Sequence, residues 1–151
     1  MKDINHELID MLNEALKLEY QAQVQYLTHA ELVQGLYAEP IIARFRELAD
    51  DEAKHAEKFR TLIADYLDGE PCMVMAPTHS ANDVTVMLNI NLHDEQSAVD
   101  FYKTIYKKIV THKESFPYAY ETLEHDIRHI IIEELEHMAQ LRILLGNKRS
   151  H

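Results

Sequence analysis

The sequence predicts an all-α protein: an antiparallel bundle of four long helices with one long crossover between the second and third. Three observations lead there. The 151 residues include only 3 Gly and 4 Pro, which leaves the chain few places to turn sharply. Apolar residues recur at helical spacing over four stretches of roughly 30 residues each. Two short patterns also occur twice in the same order. Glu19-x-x-Ala22-x-x-x-Tyr26 precedes Glu52-x-x-His55, and Glu95-x-x-Ala98-x-x-x-Tyr102 precedes Glu134-x-x-His137.

The first helix begins at a cap on Asp3 or Asn5 and runs to about residue 34, with Leu8, Leu12, Ala15, Gln23, Tyr26, Ala30 and Val33 on the face of Glu19. A turn over residues 35–40 follows, with Pro40 suited to the first turn of the next helix. So short a link makes these helices antiparallel neighbours. The second helix carries Ile41, Phe45, Leu48, Ala56, Phe59, Ile63 and Tyr66 in one stripe, with Glu52 on its centre line and His55 to one side. It ends near residues 67–71.

Residues 68–82 contain two prolines and no periodicity. Extended at roughly 3.4 Å per residue, this linker spans about 50 Å. The second helix, of about 28 residues, is about 42 Å long. The linker can therefore run the length of the bundle and start the third helix parallel to the second. That third helix runs from about Asp83 to residue 112 or 113, burying Val84, Leu88, Val99, Tyr102, Tyr106 and Ile109 around Glu95. Residues 114–117 turn the chain. The fourth helix continues to Gly146, a C-cap, with Leu123, Ile127, Ile130, Met138, Leu141 and Leu145 around Glu134 and His137. One domain over residues 1–146 and a short tail over 147–151 are expected.

Twenty-six acidic residues against fifteen Lys and Arg give a formal charge of −11. That balance repels phosphate backbones and argues against nucleic acid as a partner. No run of about 18 apolar residues suits a membrane span, and the first residues lack the apolar stretch of a signal peptide. The only cysteine, Cys72, allows no intrachain disulfide and no Cys-x-x-Cys iron centre. A cytoplasmic location is expected.

The repeated patterns describe a site if their residues lie at one level. Counted from a common end of the bundle, Glu19, Glu52, Glu95 and Glu134 are about 15, 12, 13 and 12 residues in, a spread of about 4.5 Å of helix rise. Four carboxylates can then converge at mid-height. Burying them without partners costs several kcal/mol each, enough together to exceed the stability of a typical domain. Two divalent cations would balance the four charges, with His55 and His137 adding neutral ligands. Each Glu/His pair is spaced i, i+3 and shares one helix face. Such a donor set suits iron or manganese, and zinc or cobalt would also bind.

These motifs, in this order, resemble the ferritin-like superfamily over nearly the whole chain, most closely its bacterioferritin and rubrerythrin branches. The stretch Asp51-Glu52-Ala53-Lys54-His55-Ala56 is similar to the corresponding bacterioferritin helix. The resemblance implies a non-haem diiron protein. Glu19 and Glu95 would be terminal carboxylates, Glu52 and Glu134 bridging ones, and His55 and His137 nitrogen ligands of two iron ions. Tyr26 and Tyr102 match the paired tyrosines of rubrerythrins, and would serve either as electron donors or as core side chains bonded to a buried carboxylate. Asp51 and Glu133 would each bond the histidine of the opposite helix, or simply flank the core as surface acids.

Departures from the family patterns shape the expectation. Where bacterioferritins carry a haem-ligating methionine after the bridging glutamate of the second helix, this chain has Ala53, so no haem is expected. The extra glutamate of rubrerythrins is replaced by Ala98, and their rubredoxin module is missing. Five residues follow Gly146, too few for the short fifth helix of large cages. A homodimer or higher homo-oligomer is expected, and Tyr20, Val24 and Leu27, which widen the apolar surface of the first helix, either meet a second copy or belong to one wide buried face.

Other histidines suggest less. His125 and His129, with Glu121, could hold a surface metal but lie on the side of their helix away from Glu134, where a solvated face is expected. His6, His29, His79, His93, His112 and His151 have no partner by spacing. By resemblance, the function is oxidation of Fe(II) by O2 or H2O2, a ferroxidase of iron handling and oxidative-stress protection. The alternatives are a rubrerythrin-like peroxide reductase fed by a separate electron donor, and a redox-inactive metal-binding bundle. Oxidation of an organic substrate would require an apolar pocket beside the metals.

Overall fold

The computed structural model describes residues 2–147. Four helices dominate: α1 (Ile4–Leu32), α2 (Ala38–Thr61), α3 (Val84–Thr111) and α4 (Tyr120–Leu145). No strand occurs among the described residues. Helix α1 packs along α2, α3 packs along α4, and α1 also meets α3. None of these helices is long and apolar enough to cross a membrane.

Local chemistry sets the helix ends. The Asp3 carboxylate accepts from the His6 N–H at 2.9 Å, and Asp83 accepts from the Val86 N–H at 3.0 Å, so each caps the helix that follows. Gly146 closes α4 in the left-handed conformation, φ 81°, which a glycine adopts without strain. Helix α1 stops at Leu32, two residues before the expected end, because Val33 is already extended. Residues 113–115 form a 3₁₀ turn, and α4 begins only at Tyr120. The tail expected over residues 147–151 lies outside the described residues apart from Asn147.

Val84 and Tyr106, expected to be buried, are only partly so, and the expected core position of Tyr66 is corrected. After Thr61 the helix widens into a π-helical turn, Leu62–Tyr66. The wider turn breaks the 3.6-residue period, so Leu62 and Ile63 are buried while Tyr66 is 41% exposed. Gly69 follows in close contact, where an added Cβ would meet Ile9 and Ile63 side-chain atoms at 2.9 to 3.0 Å.

The apolar core is in two parts. One contains Leu8, Leu12, Leu16, Phe59, Ile105 and Leu123, the other Ala30, Phe45, Leu48, Met87 and Leu141. Along α1 and α4 the chain passes from the first cluster to the second, and along α2 and α3 from the second to the first. Helices α2 and α3 are therefore parallel, the arrangement that the 68–82 crossover permits. Between the clusters, at mid-height, each helix carries its polar motif. Asp83→Ala should lower stability by about 1 kcal/mol, read as a lower urea midpoint with an unchanged denaturant slope.

Candidate metal centre

All six predicted side chains meet at this waist. Glu19, Glu52, His55, Glu95, Glu134 and His137 are at most 3% exposed. They fall into two groups of four, Glu19/Glu52/His55/Glu134 and Glu52/Glu95/Glu134/His137, each with its donor atoms within 4.8 Å of one another. Glu52 and Glu134 belong to both. The i, i+3 spacing on α2 and α4 places each histidine beside its own glutamate: His55 Nδ1 is 3.4 Å from Glu52, and His137 Nδ1 is 3.6 Å from Glu134. Across the bundle, His55 Nδ1 lies 2.7 Å from Glu134 Oε1 and His137 Nδ1 lies 3.2 Å from Glu95 Oε2.

The outer nitrogens are held by acids from the opposite helix. Glu133 Oε2 is 2.5 Å from His55 Nε2, and Asp51 Oδ2 is 3.0 Å from His137 Nε2. Both acids are half exposed. Each imidazole thus donates outward and turns Nδ1 toward the centre. The tyrosines lie against the carboxylates. Tyr102 donates to Glu19 Oε1 at 2.7 Å, and Tyr26 donates to Glu95 Oε1 at 3.1 Å.

The cluster fits cations. Glu19 Oε2, Glu52 Oε1, His55 Nδ1 and both Glu134 oxygens are buried without a hydrogen-bond partner. The 2.7 Å approach of His55 to Glu134 is therefore a charge contact rather than an oriented hydrogen bond. Five orphaned atoms in one place would be costly for a protein with nothing to bind there. Burial, reinforced by the neighbouring Glu19 and Glu95 charges, raises the Glu52 carboxyl well above the usual range. Burial and the other three glutamates do the same to Glu134. Burial opposes protonation of His137, but Glu95, Glu134 and Asp51 outweigh it and hold the imidazole up at about 9. At His55 burial is likewise outweighed, by Glu19, Glu134 and Glu52, and its proton is held well above the ordinary range.

Beside the centre lies a buried polar network that the spacing of the motifs did not reveal. Gln25 donates to Asn91 at 2.9 Å and to Asp94 at 2.8 Å, and Asn91 Nδ2 is 2.9 Å from His29 Nδ1. His29 Nε2 is in turn 2.9 Å from the carbonyl of His79 in the crossover. His29 and His79, without partners by spacing, therefore have them in space. Gln21, Gln25 and His29 are buried while Gln23, expected on the inner face, is only partly so. The i, i+4, i+8 spacing of Gln21, Gln25 and His29 was the available signal. His125 and His129 stack on each other with ring centres 4.2 Å apart, but with Glu121 they form no metal-binding group among the described residues.

Fold and site together define a class, a four-helix bundle built around paired carboxylate–imidazole groups that form a candidate metal site. The sequence model of the ferritin-like domain matches residues 9–149, and the chain belongs to the ferritin-like family. Among solved structures it is similar to a ferritin-like diiron-carboxylate protein from Bacillus anthracis, at 27% identity over 96% of this chain and 99% of that one, TM-score 0.87. It is also similar to the dodecameric thioferritin, a bacterioferritin-related protein, from Bacteroides fragilis, at 28% identity over 96% and 87%, TM-score 0.80. Rhodobacter capsulatus bacterioferritin shares the fold, at 22% identity over 97% and 87%, TM-score 0.83. No curated protein sequence matches the chain significantly.

The site makes the metal-free protein sensitive to pH. Glu52 and Glu134 keep their protons above 4.5, where the unfolded chain loses them, and His137 keeps its proton from 6.5 to about 9. The folded state then binds more protons than the unfolded state, so stability falls as pH rises through this range. Glu95, lowered by His137 and Glu134 against its burial, acts oppositely but only below 4.5. The melting temperature of metal-free protein should therefore fall between about pH 6 and about pH 9, and Glu134→Gln should raise it and flatten the slope. A flat profile in the unaltered protein would contradict this charge assignment.

Proposed function

We propose that the protein binds two ferrous ions and oxidises them with O2 or H2O2, as a ferroxidase of iron handling and oxidative-stress protection. The observation that carries this reading is the sharing of Glu52 and Glu134 between the two four-residue groups. Two cations would then have a bridging pair of carboxylates, one terminal carboxylate each (Glu19, Glu95) and one imidazole each (His55, His137). Four glutamates with one nitrogen per metal suit iron, and manganese or zinc would compete for the same donors. The description of the B. anthracis relative as a diiron-carboxylate protein supports iron.

Each ferrous ion supplies one electron: two reduce O2 to H2O2 with two protons, or H2O2 to two waters with two protons. The chain's part is to place the donors and hold protons. Glu133 and Asp51 keep the imidazole N–H groups outward, leaving the Nδ1 lone pairs for metal. Tyr102 and Tyr26 fix the terminal carboxylates. Their burial, with the glutamate charges nearby, raises both phenols well above their ordinary range, so they remain protonated donors. Their hydrogen bonds to Glu19 and Glu95 also suit them to give electrons to the site. That placement supports a second reading, a peroxide reductase re-reduced by a separate carrier.

A homodimer or higher homo-oligomer is part of the proposal. Val24 and Leu27 on α1 are 41% and 42% exposed, an apolar surface suited to a second copy, and the B. fragilis relative is dodecameric.

Anaerobic titration of metal-free protein should reach two Fe(II) per chain. Rapid mixing with O2 or H2O2 should then give ferric product. Preference for peroxide with carrier-dependent turnover would favour the second reading, and iron oxidised no faster than in protein-free buffer would overturn both. Glu133→Ala should weaken metal binding at the His55 side about 10- to 100-fold, measured by competition with a chelating dye.

A further inference from the structure

The centre is closed on one side and open on the other. On the α2/α4 side the outer imidazole nitrogens are covered by Glu133 and Asp51. On the α1/α3 side a cavity of about 250 Å³ runs from the surface at Pro77, His79 and Ser97 down to Glu52, Glu95 and Tyr102. Its walls are Leu18, Gln21, Ala22, Asp94 and Ala98, with Ala76 and Pro77 of the crossover above. The small side chains of Ala22 and Ala98, each three residues after a candidate ligand, leave the space open.

The roof is anchored. The Ala76 N–H donates to the Lys17 carbonyl at 3.0 Å, the His79 N–H donates to Gln25 Oε1 at 2.7 Å, and His29 Nε2 is 2.9 Å from the His79 carbonyl. Gln25 and His29 are themselves buried and bonded to Asn91. The cavity is thus built into the fold, with fixed walls.

Size and lining select an occupant. An apolar cavity of about 150 Å³ is enough for benzene, so this space exceeds what the two heavy atoms of O2 or H2O2 require. Asp94, Glu95 and Glu52 repel anions. Gln21, His79, Asp94 and Ser97 give the cavity polar lining as well, while Leu18, Ala22 and Ala98 present apolar surface that a charged occupant leaves unused. An uncharged molecule with a compact apolar body, and an oxygen-bearing end directed at Glu52, Glu95 and Tyr102, meets both conditions.

We propose that the α1/α3 cavity between Ala22 and Ala98 binds small organic hydroperoxides and presents their O–O group to the centre. This rests on the ferroxidase reading for its redox step. In that step the O–O bond of ROOH breaks and two ferrous ions give one electron each. With two protons from solvent, the products are ROH, water and two ferric ions.

Two measurements test the binding and the chemistry separately. In metal-free protein, tert-butanol, the alcohol product of tert-butyl hydroperoxide, should shift the methyl NMR signals of Leu18, Ala22 and Ala98 saturably. Ala98→Leu and Ala22→Leu, which fill the cavity from opposite walls, should abolish saturation. In protein loaded anaerobically with Fe(II), the ratio of iron-oxidation rates with tert-butyl hydroperoxide and with H2O2 should fall at least about tenfold in either variant, the discrimination expected from crowding an apolar pocket. Absence of saturable binding in the unaltered metal-free protein, or an unchanged rate ratio in both variants, overturns the proposal. Saturable alcohol binding together with iron that neither peroxide oxidises overturns the ferroxidase reading and the peroxide step, while the pocket stands.

Discussion

Burial of four carboxylates and two imidazoles at the waist of the bundle is the constraint around which the rest of this molecule is arranged. Each ionised group removed from water carries a penalty of several kcal/mol unless it is paired. The protein brings six such groups within a few ångströms, with five of their atoms left without a hydrogen-bond partner. Protons can relieve part of this, which is why Glu52, Glu134, His55 and His137 all hold protons more tightly than usual. Divalent cations relieve it more completely, because they satisfy the oxygens and nitrogens together.

The apolar architecture serves this centre by flanking it. One core cluster on either side lets the helices register against each other independently of the polar residues between them. The stability needed to hold an unfavourable charge cluster comes from Leu, Ile and Phe packing above and below. The crossover matters for the same reason. By returning the chain to the far end, it makes α2 and α3 parallel and brings Glu52 and Glu95 to one height.

The surroundings of the centre are asymmetric although its ligand motif is nearly two-fold. Toward α2 and α4, acids lock the imidazoles. Toward α1 and α3, alanines leave a cavity roofed by the crossover. The buried amide and imidazole network anchors that roof, so the connection between the two halves of the bundle is also a wall of the space leading to the carboxylate–imidazole cluster.

The sequence by itself determined the four helices, their order and the six converging side chains. Those features follow from local spacing: a 3.6-residue period fixes a face, an i, i+3 pair shares it, and counting residues fixes height. It also pointed, through the family resemblance, to the hydrogen bonds of Asp51 and Glu133, now seen at His137 and His55. Only the tertiary structure decided the π turn that carries Tyr66 outward, the linking of Gln25, Asn91, His29 and His79, and the cavity between Ala22 and Ala98. Each of these depends on the distance between segments remote in the chain. Helical periodicity says which way a residue faces, but not how far away the opposing surface stands.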